Sequence, residues 1–300
     1  MRIRLARLRI CRRGYTREDE NLRGEAITSI LHGQDRAQPG LPEYPVEMHW
    51  IQFNEWCARH STRGQVRNSN RIHAAWSHTM LIINNLTTPA GPVANAADLR
   101  ARAEAAVADG APHKLPWMFG IPEPWLPVSL EEANAVFADA GLHHMMYMTV
   151  MECGGPLAEP LRPLPRDVEV KRINSRALGF DALHLNCRAY GMPAVVTDDV
   201  VDANVYFSDP EKEFGFVVYN REGVPVSTAT AIDLGDWMYI AAVATDAEQR
   251  KKGYAEVAMR AALAAAPTKP TSLDASRMGE PLYAQMGYQR RFKWNFWVMG

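Results

Sequence analysis

The chain has 300 residues, with 33 basic and 34 acidic side chains and a formal net charge of −1, which excludes the broad electrostatic grip on nucleic acid that a basic domain has. At 47% hydrophobic and 22% charged residues it can fill sizeable cores, and its length sets an expectation of two domains. No apolar run approaches the roughly 20 residues that span a bilayer, and the four cysteines, Cys11, Cys57, Cys153 and Cys187, lack the paired spacing of a disulfide framework or zinc site, so the expected setting is a reducing cytoplasm, without membrane or metal.

Residues 1–47 stand apart. Positions 1–13 hold six arginines, and the stretch that follows mixes charges with Gly and Pro without periodicity. It lacks the apolar core of a secretory signal, and Glu18, Asp19 and Glu20 speak against a transit peptide. The expectation is a tail, or translated sequence upstream of a start at Met48.

A first domain is expected over 48–160. The apolar run 80–86 has the length of a buried strand. Residues 97–108 read as a helix, with Asp98 in the first turn where the helix dipole favours a carboxylate. A second strand is expected at 117–121. Ser129 and Glu132 form a capping box opening a helix that Gly141 closes, and 143–152 is a third strand.

The second domain, 161–300, begins with a strand at 168–173 and a helix at 175–190 ending at Gly191. Residues 214–219 and 224–232 form a hairpin around Arg221, Glu222 and Gly223. Residues 237–245 form a strand, followed by Arg250, Lys251, Lys252, Gly253, Tyr254 and Ala255 at the start of an Ala-rich helix. Three cations are the wrong sign for a bare helix N-terminus, which favours anions. They make sense around a bound anion lying between them and the free backbone N–H groups, with Gly253 and Ala255 small enough to let it approach. The arrangement reads as a diphosphate cradle.

Downstream, Leu273, Asp274, Ala275 and Ser276 end a strand, and Gly279 leads into Leu282, Tyr283, Met286, Gly287 and Tyr288. The spacing of Arg250, Gly253 and Ala255, followed by this second signature in order, resembles the GNAT superfamily of N-acetyltransferases over roughly 166–300. The run 136–142 echoes 282–288, sharing Ala and Gly at matching places, with Phe137 where the later copy has Tyr283. The resemblance therefore implies an α/β fold, a mixed twisted sheet flanked by helices, in tandem with a degenerate N-terminal half. That first half has no cations in 89–96, Pro92 removes a donor N–H, and Asp98 already supplies negative charge at its helix start.

The resemblance further implies acetyl-CoA as co-substrate. It assigns backbone groups of Val243, Ala244 and Thr245 to the pantetheine arm, inserted where two strands splay apart, and Arg250 to Ala255 to the diphosphate. Ser276 stands where many members have Asn, and Tyr283 takes the position of the general acid. The central strand carries no carboxylate, leaving Asp233 and Asp236, in the turn before it, to act as base through water; His184 on the preceding helix is weaker. The acceptor class implied is a primary amine of a small molecule such as an amino acid, polyamine or aminoglycoside-like compound, with a protein amine, a longer acyl donor, or a non-catalytic acyl-CoA sensor as alternatives. A monomer or homodimer is expected.

Overall fold

The computed structural model describes residues 46–300, so the tail expected at 1–47 falls almost wholly outside them. The first half comprises α1 (His49–His60), β1 (Gln65–Asn68), β2 (Ile72–Trp76), β3 (Asn85–Pro89), α2 (Ala96–Gly110), β4 (Met118–Pro122), α3 (Leu130–Asp139) and β5 (Leu142–Cys153). The second comprises β6 (Glu169–Arg172), α4 (Arg176–Ala189), α5 (Ala194–Asp202), β7 (Glu213–Tyr219), β8 (Pro225–Asp233), β9 (Met238–Thr245), α6 (Tyr254–Ala265), β10 (Thr271–Ala275), α7 (Glu280–Gln285) and β11 (Gln289–Met299).

The capping signal at Ser129 acts as expected, accepting from the Glu132 amide, and Asn95, not singled out in the sequence, accepts from the Asp98 amide in the same way, satisfying N–H groups that have no partner inside their helices. The run 80–86 departs from expectation. It holds a 3-10 turn at Ile82–Asn84, and the strand begins only at Asn85. A short apolar run reports burial rather than backbone shape, and here the Asn85 amide group donates to the Thr79 and Pro116 carbonyls and holds the turn in place. Helix α1 and strands β1 and β2 were not anticipated from the sequence.

The eleven strands of the described residues form one sheet in the order β1-β2-β3-β4-β11-β5-β10-β9-β8-β7-β6. Only β3–β4 and β9–β10 are parallel. Exchanging β1–β5 with β7–β11 turns the ten-strand part of this order back into itself, so the halves share one topology about an approximate two-fold axis. The last strands are traded across that axis. β5 pairs with β10 of the second half, β11 pairs with β4 of the first, and β5 and β11 pair with each other.

Strand alternation sorts side chains to two faces. Trp237, just before β9, and Tyr239 and Ala241 of β9 face a core that includes Trp50, Phe53 and Trp56 of α1 together with Leu183 of α4 and Val200 of α5. Met238 and Ile240 face the other way, against Ala258, Met259 and Ala262 of α6 and Tyr283 of α7. The corresponding layer of the first half packs Leu99, Ala103 and Ala106 of α2 and Phe137 of α3 on Phe119, Ile121 and Trp297.

Candidate active site

β9 and β10 pair over only two rungs, Met238 with Thr271 and Tyr239 with Ser272. Beyond them β10 is hydrogen-bonded to β5, and β9 to β8. The two parallel strands therefore part, opening a slot between them toward their C-terminal ends. In the same stretch β9 carries a bulge. Its register against β8 shifts between Thr228 and Thr230, and Ala242 takes φ +52°. A bulge adds one residue that the ladder leaves unpaired, so backbone groups of Ala242 and Val243 are freed beside the slot.

At the end of β9 the chain turns through Asp246, whose carboxylate accepts from the Glu248 amide. The Arg250 guanidinium donates to the carbonyls of Ala189 and Thr245, which ties the loop to the end of α4. Lys251 and Gly253 both lie in the left-handed region, at φ +66° and +87°, a backbone form that turns successive N–H groups toward one point. Gly253 is the N-cap of α6 and supplies no side-chain acceptor, so the first-turn amides of Tyr254 and Ala255 are left for an external anion. Lys251 and Lys252 are exposed beside them.

The first half has the same slot geometry but a closed cradle. Its parallel pair β3–β4 also holds only two rungs. There, however, Asn95 caps α2, Asp98 accepts from the Ala94 amide, and the Arg102 guanidinium is bonded to Asp98 and to the carbonyls of Gly91 and Pro92. The amides and the space that an anion would use are taken by the chain itself.

Tyr283 is buried on α7, its ring 6.1 Å from that of Tyr288. Burial, reinforced by the neighbouring Tyr190 and Tyr288, pushes its phenol far above the ordinary range, so it remains protonated. Gly279 makes room for it: a Cβ there would lie 2.8 Å from Tyr283 Cε2. Ser276 accepts from the Gly279 amide and faces the Tyr190 phenol, which also lies beside Arg250. Tyr190 at the end of α4 thus links the cradle to the Tyr283 end of the slot.

The structure does not bring Asp233 and Asp236 to this place. Asp233 ends β8, paired with Met238, and Asp236 lies in the turn before β9, so both are about 23 Å along the strand from Thr245 at ~3.3 Å per residue. Asp233 is held by the Lys269 ammonium at 2.7 Å through both oxygens, and Asp236 is exposed in the turn. His184 stacks on Phe180 along α4.

A different carboxylate lies across the slot. The Tyr239 hydroxyl donates to Asp274 Oδ2 at 2.8 Å, joining β9 to β10 just past their last shared rung. Burial raises the Asp274 carboxyl to about 7, with the Tyr239 hydrogen bond pulling the other way. Its Oδ1 is buried without a partner among the described residues. Tyr239 is itself fixed by Phe53, stacked at 4.4 Å, and by Trp237 at 5.9 Å. In the sequence Asp274 is one of three polar residues in the short strand Thr271–Ala275 and nothing singles it out; only its burial beside Tyr239 does, an expensive placement that calls for a reason.

Residues 182–288 match the family model described as Acetyltransferase (GNAT) family. This segment is a GNAT acetyltransferase domain. It spans the slot, the cradle and Tyr283, and the activity of that family is acyl-CoA-dependent acetyl transfer. Among solved structures, a GCN5-related N-acetyltransferase from Kribbella flavida superposes with a TM-score of 0.62 at 16% identity, covering 86% of this chain and 96% of that chain. A functionally unknown conserved protein from Staphylococcus epidermidis gives 0.58 at 13% identity, with 78% and 93% covered. A GCN5-related N-acetyltransferase from Sphaerobacter thermophilus gives 0.52 at 15% identity, with 76% of each chain covered. At such identities these likenesses show the fold alone, the GNAT fold, over both halves of the chain. No curated protein sequence matches. Among the described residues no helix is long and apolar enough to cross a membrane, and no group of three or more His, Cys, Asp or Glu side chains could hold a metal ion.

Proposed function

We propose that the chain transfers an acetyl group from acetyl-CoA to a primary amine of a small molecule by direct attack. The observation that carries this reading is the contrast between the two helix starts: the one after β3 is capped and filled by its own side chains, and the one after β9 is left bare, with cations around it. Gly253 and the left-handed turn suit a diphosphate, and the slot beside the bulge suits a pantetheine arm lying along Val243, Ala244 and Thr245. The lobes are taken as 48–160, structural, and 161–300, catalytic. The protein is taken to work in the cytoplasm as a monomer or homodimer.

An alkyl ammonium titrates near 10.4, so at neutral pH it must lose a proton before it can attack. Asp274, raised to about 7 and with a free oxygen, takes that proton in place of Asp233 and Asp236. The nitrogen then bonds to the thioester carbon, and an amide of the β9 bulge donates to the oxyanion. As the C–S bond breaks, Tyr283 gives its proton to the departing thiolate. A substrate amine and the freed thiol are measurable together. Asp274→Asn and Tyr283→Phe should each lose free-thiol release across a panel of small amines while still binding acetyl-CoA. Full turnover in both variants would refute these roles, and no turnover in wild type with any amine, despite binding, would support a sensor instead.

A further inference from the structure

The segment between β5 and β6, residues 154–168, does more than join the halves. It lies against α6. The Ala158 carbonyl accepts from Arg260 in the middle of that helix, and the Ala158 amide donates to the Met286 carbonyl at 3.0 Å. By its end it has reached the N-terminus of α6, where a Cβ on Gly253 would lie 3.1 Å from Pro165 Cδ and 3.7 Å from Leu164 Cδ2. Pro156, Pro160, Pro163 and Pro165 restrict its backbone, since each fixes φ. The last of them is followed by Arg166, which is exposed and has neither an ion pair nor a hydrogen bond among the described residues.

Arg166 thus adds a cation to a place that already has too many. Consecutive Cα atoms are about 3.8 Å apart, so Arg166 begins one residue from the side chain that touches the cradle. Two of the nearby carboxylates are engaged elsewhere, Glu256 with Arg260 at 2.8 Å and Asp246 with Arg188 at 2.6 Å, and Glu248 in the loop is exposed. Asp167, the next residue, is exposed. The Arg250 guanidinium is used on two carbonyls and Lys252 bonds Gln249. The cradle amides answer a diphosphate, and an unengaged arginine at its rim answers a further phosphate group.

Resting on the acetyl-CoA reading above, we infer that the inter-lobe segment is part of the cofactor site: Leu164 and Pro165 form a wall beside the diphosphate, and Arg166 pairs with the ribose 3′-phosphate.

Calorimetric titration of the full chain with CoA and with 3′-dephospho-CoA, at one fixed salt concentration, tests this. Wild type should prefer CoA by roughly tenfold or more, the worth of one charge-assisted hydrogen bond. Arg166→Ala should bind CoA only as well as wild type binds 3′-dephospho-CoA, and its unchanged affinity for the latter would show an intact fold and cradle. Arg162→Ala, whose side chain precedes the contact with Gly253, should keep the preference. Equal binding of the two ligands by wild type, or a preference that survives Arg166→Ala, overturns the inference while leaving the acetyl-CoA reading standing. Failure of wild type to bind either ligand overturns both.

Discussion

Asp274 is where residue-level physics has the sharpest consequence. Its carboxyl is raised from 3.8 to about 7 by burial, so between those values the folded state holds a proton that the unfolded state has released. A raised acid value means stability falls as pH climbs from about 4 to 7, because the unfolded state is the one that binds fewer protons. In the proposed role as base, activity runs the opposite way, since a base must be ionised to accept a proton. The ratio kcat/KM should therefore rise through pH 7 in wild type, and Asp274→Asn should remove that limb along with about 10²- to 10⁴-fold in rate. Melting temperatures from pH 4.5 to 8 should show a smaller decline in the Asn variant. For Tyr283 the expected signature is different. Tyr283→Phe removes the proton donor but keeps the ring against Tyr288, so turnover should fall while acetyl-CoA affinity and melting temperature stay near wild type.

Among the elements, α6 depends on its first turn being left unfinished. A helix start capped by Gly253 rather than by a side-chain acceptor forgoes about a few tenths of a kcal/mol, and Lys251 at φ +66° costs a further ~1–3 kcal/mol of backbone strain. Such strain persists only where something else holds it, and the Arg250 bonds to Ala189 and Thr245 do so. At 100 times its Kd, acetyl-CoA should stabilise the wild type by about 2.7 kcal/mol. In Gly253→Glu that ligand-dependent shift in melting temperature should vanish, because a side chain at φ +87° would meet Pro165 and place a carboxylate among the amides. Helix α1 acts on the site from the other face. Trp50 is 3% exposed, and its ring lies 5.5 Å from Phe296 and 6.3 Å from Tyr239. Trp50→Ala should cost about 3–5 kcal/mol in chemical denaturation and loosen the residue that orients Asp274.

For the whole molecule, the trade of β5 and β11 binds the halves into one sheet. Neither 48–160 nor 161–300 can complete its own strand order, since the strand beside β4 comes from the second half and the strand beside β10 from the first. One cooperative transition is therefore expected, with calorimetric and van't Hoff enthalpies equal; two resolved transitions would contradict this coupling. The sequence by itself located the uncapped, cation-flanked start of α6, because Arg250, Gly253 and Ala255 act through backbone and charge within a few consecutive residues, and it located the Ser129 cap of α3 for the same local reason. It also determined the tandem repeat, from the echo of 136–142 in 282–288. It could not show α1, whose mixed polar and aromatic positions are explained only by the sheet face they cover, nor the 3-10 turn inside the apolar run 80–86. The base proposed above was beyond its reach on physical grounds: Asp233 and Asp236 are near the central strand in sequence but lie at the end of it away from Thr245. Asp274 owes its proton affinity to burial beside Tyr239, a contact that only the pairing of β9 with β10 creates.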